Sequence, residues 1–134
     1  MTNVYRPADR PLSPHLQSWG WTVTMASSIT HRATGIALYG GTLLLLLWVW
    51  SLALGEEAFT FVAGIMGSPF GVVVFAGYAF AIVQHMFGGW KHFQWDLGYG
   101  LDYELAKKTA WAIYAASAVI TFGLLIAGLN AKGA

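Results

Sequence analysis

Charge is absent from three long parts of this chain. Residues 33–55 and 109–131 are each 23 residues without Asp, Glu, Lys or Arg, and residues 58–90 make a third such run of 33. A helix needs about 20 residues to cross about 30 Å of hydrocarbon, so all three are long enough to span a membrane. The 33-residue run is too long for one straight span, and "GSPFG" at 67–71 sets Pro69 among turn-forming glycines that break it. Backbone in lipid has no solvent to bond, so each span must be helical. The pattern predicts an all-α integral membrane protein. It has three transmembrane helices at about 30–54, 70–90 and 109–130, in one domain covering 1–134.

Basic residues orient the spans. Arg6, Arg10 and Arg32 precede or open the first span, and Lys91, Lys107 and Lys108 lie between the second and third. The 55–69 connection has only Glu56 and Glu57, and Lys132 follows the last span. The asymmetry predicts a cytoplasmic N-terminus and a periplasmic C-terminus. Residues 28–32 and 85–96 then meet at the same membrane face.

Composition sharpens the class. The chain is 57% hydrophobic and 10% charged, with mean hydropathy +0.56, against roughly 25% charged residues in soluble domains. Net charge +1 leaves no nucleic-acid footprint. The absence of cysteine excludes disulfides, thiolate zinc sites and iron–sulfur ligation within the chain. The first twenty residues hold no apolar core of signal-peptide type. There is no internal repeat, and three helices do not easily enclose a cofactor alone. Small residues in "GIALYGG" and "GYGLD" suit close packing against a partner helix.

Two stretches carry candidate chemistry. His85 sits inside the second uncharged run. An ionisable side chain at such depth is a functional candidate by default, and imidazole is a common haem ligand; the alternative is an interfacial histidine satisfied by water or backbone. Gly88 and Gly89, at i+3 and i+4, leave room for a flat ring or a neighbouring helix. His92 lies two turns on, about 10 Å along the axis, so the two histidines cannot be trans ligands of one iron; if His85 binds haem, its partner ligand comes from another helix. In the first span, Ser28 and Arg32 share a face, as do His31 and Gly35. Arg32 offers a planar cation for a carboxylate or a polarised carbonyl, unless it only snorkels to the membrane surface. Lys91, His92 and Asp96 are expected to emerge at the surface, where Asp96 is placed to pair with Lys91. Most tryptophans, Trp90 and Trp95 among them, read as interfacial belting.

These stretches together resemble a known family. "RPLSPHL" (10–16), "SITHRAT" (28–34) and "HMFGGWKHFQWDLG" (85–98) are similar to patterns of the cytochrome b membrane-anchor subunits of succinate dehydrogenase, respiratory complex II. The resemblance implies that His85 is the axial ligand of a haem b shared with a second membrane-anchor subunit. It implies that Ser28 and Arg32 bind ubiquinone, and that His31, Arg32 and His92 lie near the haem propionates. It also implies a flavoprotein and an iron–sulfur subunit as partners, which would oxidise succinate. The chain departs from the family pattern at Lys91, where arginine is usual, and at Trp90, where an aliphatic residue is usual. With no nucleotide-binding fingerprint and no cysteine, the chain reads as the membrane end of a larger enzyme. Alternatives are a fumarate reductase anchor, a purely structural anchor, or a small transporter subunit, which would want more polar residues at depth. A bacterial inner membrane is favoured over a mitochondrial one, because the sequence opens without a transit peptide.

Overall fold

A computed structural model describes Leu16 and residues 19–133. Arg6, Arg10 and most of "RPLSPHL" lie outside the described residues, as does the side chain of Lys132. All four long elements are helices: α1 Val23–Leu54, α2 Glu56–Met66, α3 Pro69–Asp96 and α4 Tyr103–Gly133. Three of them, α1, α3 and α4, are long and apolar enough to cross a membrane.

Local chemistry sets the boundaries. Thr22 caps α1, its hydroxyl accepting from Met25 N–H, a side-chain bond that satisfies one orphan donor of the first turn. Gly55 ends the helix at φ 109°, a left-handed geometry that favours glycine. Glu56 and Glu57 then open α2, where carboxylates meet the positive end of the helix dipole. The sequence reading leaves 55–69 as a connection; most of it is in fact the 11-residue α2. Gly67 caps α2, Ser68 caps α3 through Gly71 N–H, and Pro69 occupies the first turn, where its missing N–H costs nothing. A Cβ at Gly71 would collide with the carbonyl oxygen of Met66, so the corner between α2 and α3 requires glycine there. At the far end of α3, Gly98 and Gly100 adopt positive φ, Trp95 Nε1 donates to Gly100 O at 3.0 Å, and Asp102 caps α4 through Leu105 N–H.

The helices run past the uncharged segments. Residues 28–32 lie on the second and third turns of α1, and 91–96 form the last turns of α3. The polar residues therefore stand on rigid helix rather than on flanking loop.

Packing inverts the soluble pattern. Most buried side chains are small or polar, Ala81, Ala106, Ala110, Ser27, Thr34, Gln84, Ser117 and Thr121 among them, with Val83 and Ile113 the larger apolar ones. Large apolar side chains such as Ile36, Trp111, Phe122 and Leu129 face outward. Lipid tails are as apolar as leucine, so helices in a membrane associate through close approach and polar contacts, not by hiding hydrocarbon. On α4 the buried positions 106, 110, 113, 117 and 121 make one helical stripe. The central helix, α3, packs against both α1 and α4. Towards the α2 corner, α1, α2 and α3 open into an apolar groove of about 820 Å³ lined by Leu44, Trp50, Phe61, Phe70 and Tyr78, among others.

Candidate functional site

The site is the seam between α1 and the second half of α3. Positions 27, 31 and 35 of α1 step by four, and 91, 88 and 85 of antiparallel α3 step back by three, so each list stays on one helix face. Three pairs close the seam. Lys91 Nζ donates to Ser27 Oγ at 2.7 Å. The His31 ring lies against Gly88, where an added Cβ would strike its Cδ2 atom. The His85 ring lies over Gly35, whose Cβ would come within 3.1 Å of Cε1. The two openings that the sequence leaves for Gly88 are thus decided for a neighbouring helix: the glycine makes room for His31 of α1.

Three imidazoles meet here. His31 stacks on His85 with centroids 4.0 Å apart and planes 9° apart, and meets His92 edge-on at 5.0 Å. His92 in turn meets Trp95 edge-on at 5.2 Å. The histidines that are seven residues apart on α3 are linked through one from α1.

His85 has a defined tautomer. Its Nδ1 lies 3.0 Å from the carbonyl oxygen of His31, and a carbonyl only accepts, so Nδ1 carries the proton and donates. Thr34 Oγ1 donates to the same carbonyl at 2.9 Å and lies 3.3 Å from His85 Nδ1, flanking the bond. With Nδ1 protonated, the Nε2 lone pair is free to bind a metal. A ligating histidine characteristically anchors its other nitrogen in this way, which fixes ring orientation and raises ligand basicity.

The donor set also says what kind of metal centre fits. Among the described residues no group of three or more His, Asp, Glu or Cys converges to hold a bare ion. One anchored imidazole on a half-buried helix face suits a macrocycle that brings its own four equatorial nitrogens. Beside it, His31 Nε2 is buried and finds no hydrogen-bond partner among the described residues. Such an atom costs free energy unless something completes it.

Ser28 and Arg32 stand next to the seam. Ser28 follows Ser27 and Arg32 follows His31, so each is rotated about 100° around α1 from the seam. Ser28 is half-buried and Arg32 exposed. Of the residues singled out in the sequence, His31, His85 and His92 are brought into contact, while Ser28 and Arg32 flank them on one face.

Lys91 departs from its expected place. It does not emerge to pair with Asp96; it is 2% exposed, turned onto Ser27, with its ammonium 4.8 Å from the centroid of the Trp95 ring. The reason is its register: 81, 84, 88 and 91 form the buried stripe of α3, so Lys91 shares the face of Gly88. Asp96, five residues on, is exposed. Ser27 was not singled out in the sequence, though it was reachable as the residue one turn before His31; Trp95, expected as interfacial belting, covers the Lys91 ammonium.

The chain is similar to known proteins over most of its length. Residues 6–124 match the family of succinate dehydrogenase/fumarate reductase transmembrane subunits. A succinate dehydrogenase cytochrome b556 subunit from Paracoccus denitrificans is 35% identical over 126 residues, covering 94% of this chain and 96% of the relative. A mitochondrial cytochrome b560 subunit from Bos taurus is 36% identical over 87% of this chain and 70% of its own length. One from Rickettsia felis, again named a cytochrome b556 subunit, is 26% identical over 87% of this chain and 91% of its own. The chain belongs to the succinate dehydrogenase/fumarate reductase transmembrane subunit family.

Proposed function

We propose that this chain is the haem b- and quinone-binding membrane anchor of a succinate dehydrogenase complex. The observation that carries the reading is the His85 ring, held by Nδ1 on the His31 carbonyl with Nε2 left for iron. The names of the relatives, cytochromes b of succinate dehydrogenase, point the same way and favour succinate oxidation as the direction. His92 lies too far along α3 to share a metal with His85, and a second ligand would come from a second membrane-anchor subunit. His31, with its unpartnered Nε2, and Arg32 and His92 lie where propionate carboxylates would be held. The flavoprotein and iron–sulfur subunits bind at this end of the bundle, on the cytoplasmic side of a bacterial inner membrane. The Paracoccus and Rickettsia relatives support that location, and the basic residues support that orientation.

Haem, when bound, would supply a one-electron centre. The residues of this chain bind, orient and polarise. Arg32 presents a guanidinium fork, and Ser28, one turn earlier on the same face, presents a hydroxyl. A quinone carbonyl seated between them gains donors aimed at the oxygen on which charge develops during reduction. The site lies near the polar end of the bundle, so the two protons that quinone reduction consumes have a short way to travel from water.

Two measurements test this reading. The purified complex should give a b-type band in a reduced-minus-oxidised spectrum, and His85→Ala should abolish it; an unchanged band moves the ligand elsewhere. Arg32→Ala should lower succinate–quinone turnover by about 10- to 100-fold, the worth of a hydrogen bond to a charged group. Succinate oxidation with an artificial acceptor should persist. Full quinone turnover in that variant removes Arg32 from the site.

A further inference from the structure

Lys91 is the least expected side chain in the molecule. It is 2% exposed, and among the described residues its side chain hydrogen-bonds to Ser27, itself 1% exposed. The face of Trp95 covers the ammonium at 4.8 Å, and Trp95 is pinned through its Nε1 to the Gly100 carbonyl. A buried ammonium is expensive to desolvate, and mere adhesion between α1 and α3 does not require one. Elsewhere on the same seam, glycine against a ring suffices: Gly88 against His31, Gly35 against His85, and Gly41 against Tyr78. A cation at this one level supplies what those contacts lack, a directional bond to a single hydroxyl.

That hydroxyl is placed to control the rotation of α1 about its own axis. Ser27 is tied to α3, and three residues later Thr30 shares a 2.7 Å hydrogen bond with Tyr114 of α4. Successive residues turn by about 100°, so the two ties leave α1 on different bearings, about 60° apart. Two such ties fix its roll. Ser28 and Arg32 lie on the flank of α1 beyond Ser27, away from the Thr30 side, and a change of roll would swing both.

We propose that Lys91 is a positioning residue for quinone. Its bond to Ser27 locks the roll of α1 and so sets where Ser28 and Arg32 meet the substrate. The proposal rests on the quinone reading above. It goes further in giving a task to a residue that the quinone reading leaves unassigned.

The test uses the assembled complex with four variants: Ser27→Ala, Lys91→Met, the double variant, and Arg32→Ala as reference. KM and kcat are measured with a short-chain ubiquinone and normalised to succinate oxidation by an artificial acceptor, with haem content per complex recorded alongside. Ser27→Ala should raise the quinone KM by about tenfold, the loss of one charge-assisted hydrogen bond, with haem content retained. The double variant should be no worse than Lys91→Met, since both remove the same bond. If Lys91→Met fails to assemble, Ser27→Ala decides alone, because it deletes a single oxygen. An unchanged quinone KM in Ser27→Ala, or effects that multiply in the double variant, overturns the proposal. In that case a raised KM in Arg32→Ala leaves the quinone reading standing, and an unchanged one overturns that reading as well.

Discussion

The two ends of the α1–α3 seam are built from the same kinds of helix and behave differently. At the end where α1 begins, a polar row fills the contact: Ser27 with Lys91, His31 with Gly88, His85 over Gly35 with Thr34 beside it. Towards the α2 corner the seam closes once more, at Gly41 and Tyr78, and then parts into the apolar groove of about 820 Å³. The first region is specified by directional bonds and by glycines with no space above them. The second holds its helices mainly by shape, with Tyr78 against Gly41 and one 3.3 Å hydrogen bond between Tyr78 and Thr42. Chemistry that needs an imidazole at a fixed angle belongs in the first region, where packing leaves each ring one orientation.

Two glycines of α3 give the largest test of that contrast. Gly88 stands against the His31 ring, whereas Gly77, eleven residues earlier and lining the groove, has nothing within 4 Å of where a Cβ would be. Gly88→Leu should force His31 aside, at the roughly 1–3 kcal/mol typical of overpacking. The complex should lose thermal stability and much of its haem. Gly77→Leu should leave both within a few tenths of wild type. Equal behaviour of the two variants in a thermal melt followed by haem absorbance would erase the distinction between the regions.

A smaller effect is expected at Thr34. Its hydroxyl shares the His31 carbonyl with His85 Nδ1. Thr34→Val keeps the shape and removes that oxygen, so stability should fall by about 0.5–1.5 kcal/mol, the net value of one hydrogen bond. The haem band should remain, because the bond from His85 to the carbonyl survives. Loss of the band would mean that the hydroxyl, not the carbonyl, orients the ligand. The smallest change should come from Tyr78→Phe, which removes an exposed 3.3 Å contact with Thr42 at the groove end. Its cost should stay at or below about 0.5 kcal/mol, with haem content and quinone turnover as in wild type. A clear drop in either would extend the functional region past the groove.

The sequence made some of this legible and hid the rest. Charge-free length finds the membrane-crossing segments because lipid imposes one rule on every span. The depth of His85 marks it as a ligand candidate for the same reason. The break at Gly67 and Pro69 was visible as turn chemistry, but α2 before it was not, since eleven residues between two breakers, two glutamates followed by a mostly apolar stretch, read equally well as connection or helix. The inward turn of Lys91 was hidden by a deeper ambiguity. In a soluble helix the apolar stripe names the buried face; here lipid-facing and buried faces are both apolar, and the buried one differs only in being smaller and more polar. The stripe 81, 84, 88, 91 was present in the sequence, but a lysine at its end resembles a surface anchor until α1 is seen above it. The meeting of His31 with His85 depends on the register of two helices far apart in the chain, which no local pattern encodes.

The central claim is that His85 reaches iron through Nε2 because α1 holds its Nδ1. A density map of the assembled complex that resolves side chains tests it most directly. The account predicts haem iron within bonding distance of His85 Nε2, with Nδ1 still on the His31 carbonyl and the opposite ligand on another subunit. Iron bound elsewhere, or a His85 ring turned so that Nδ1 has left that carbonyl, would contradict it.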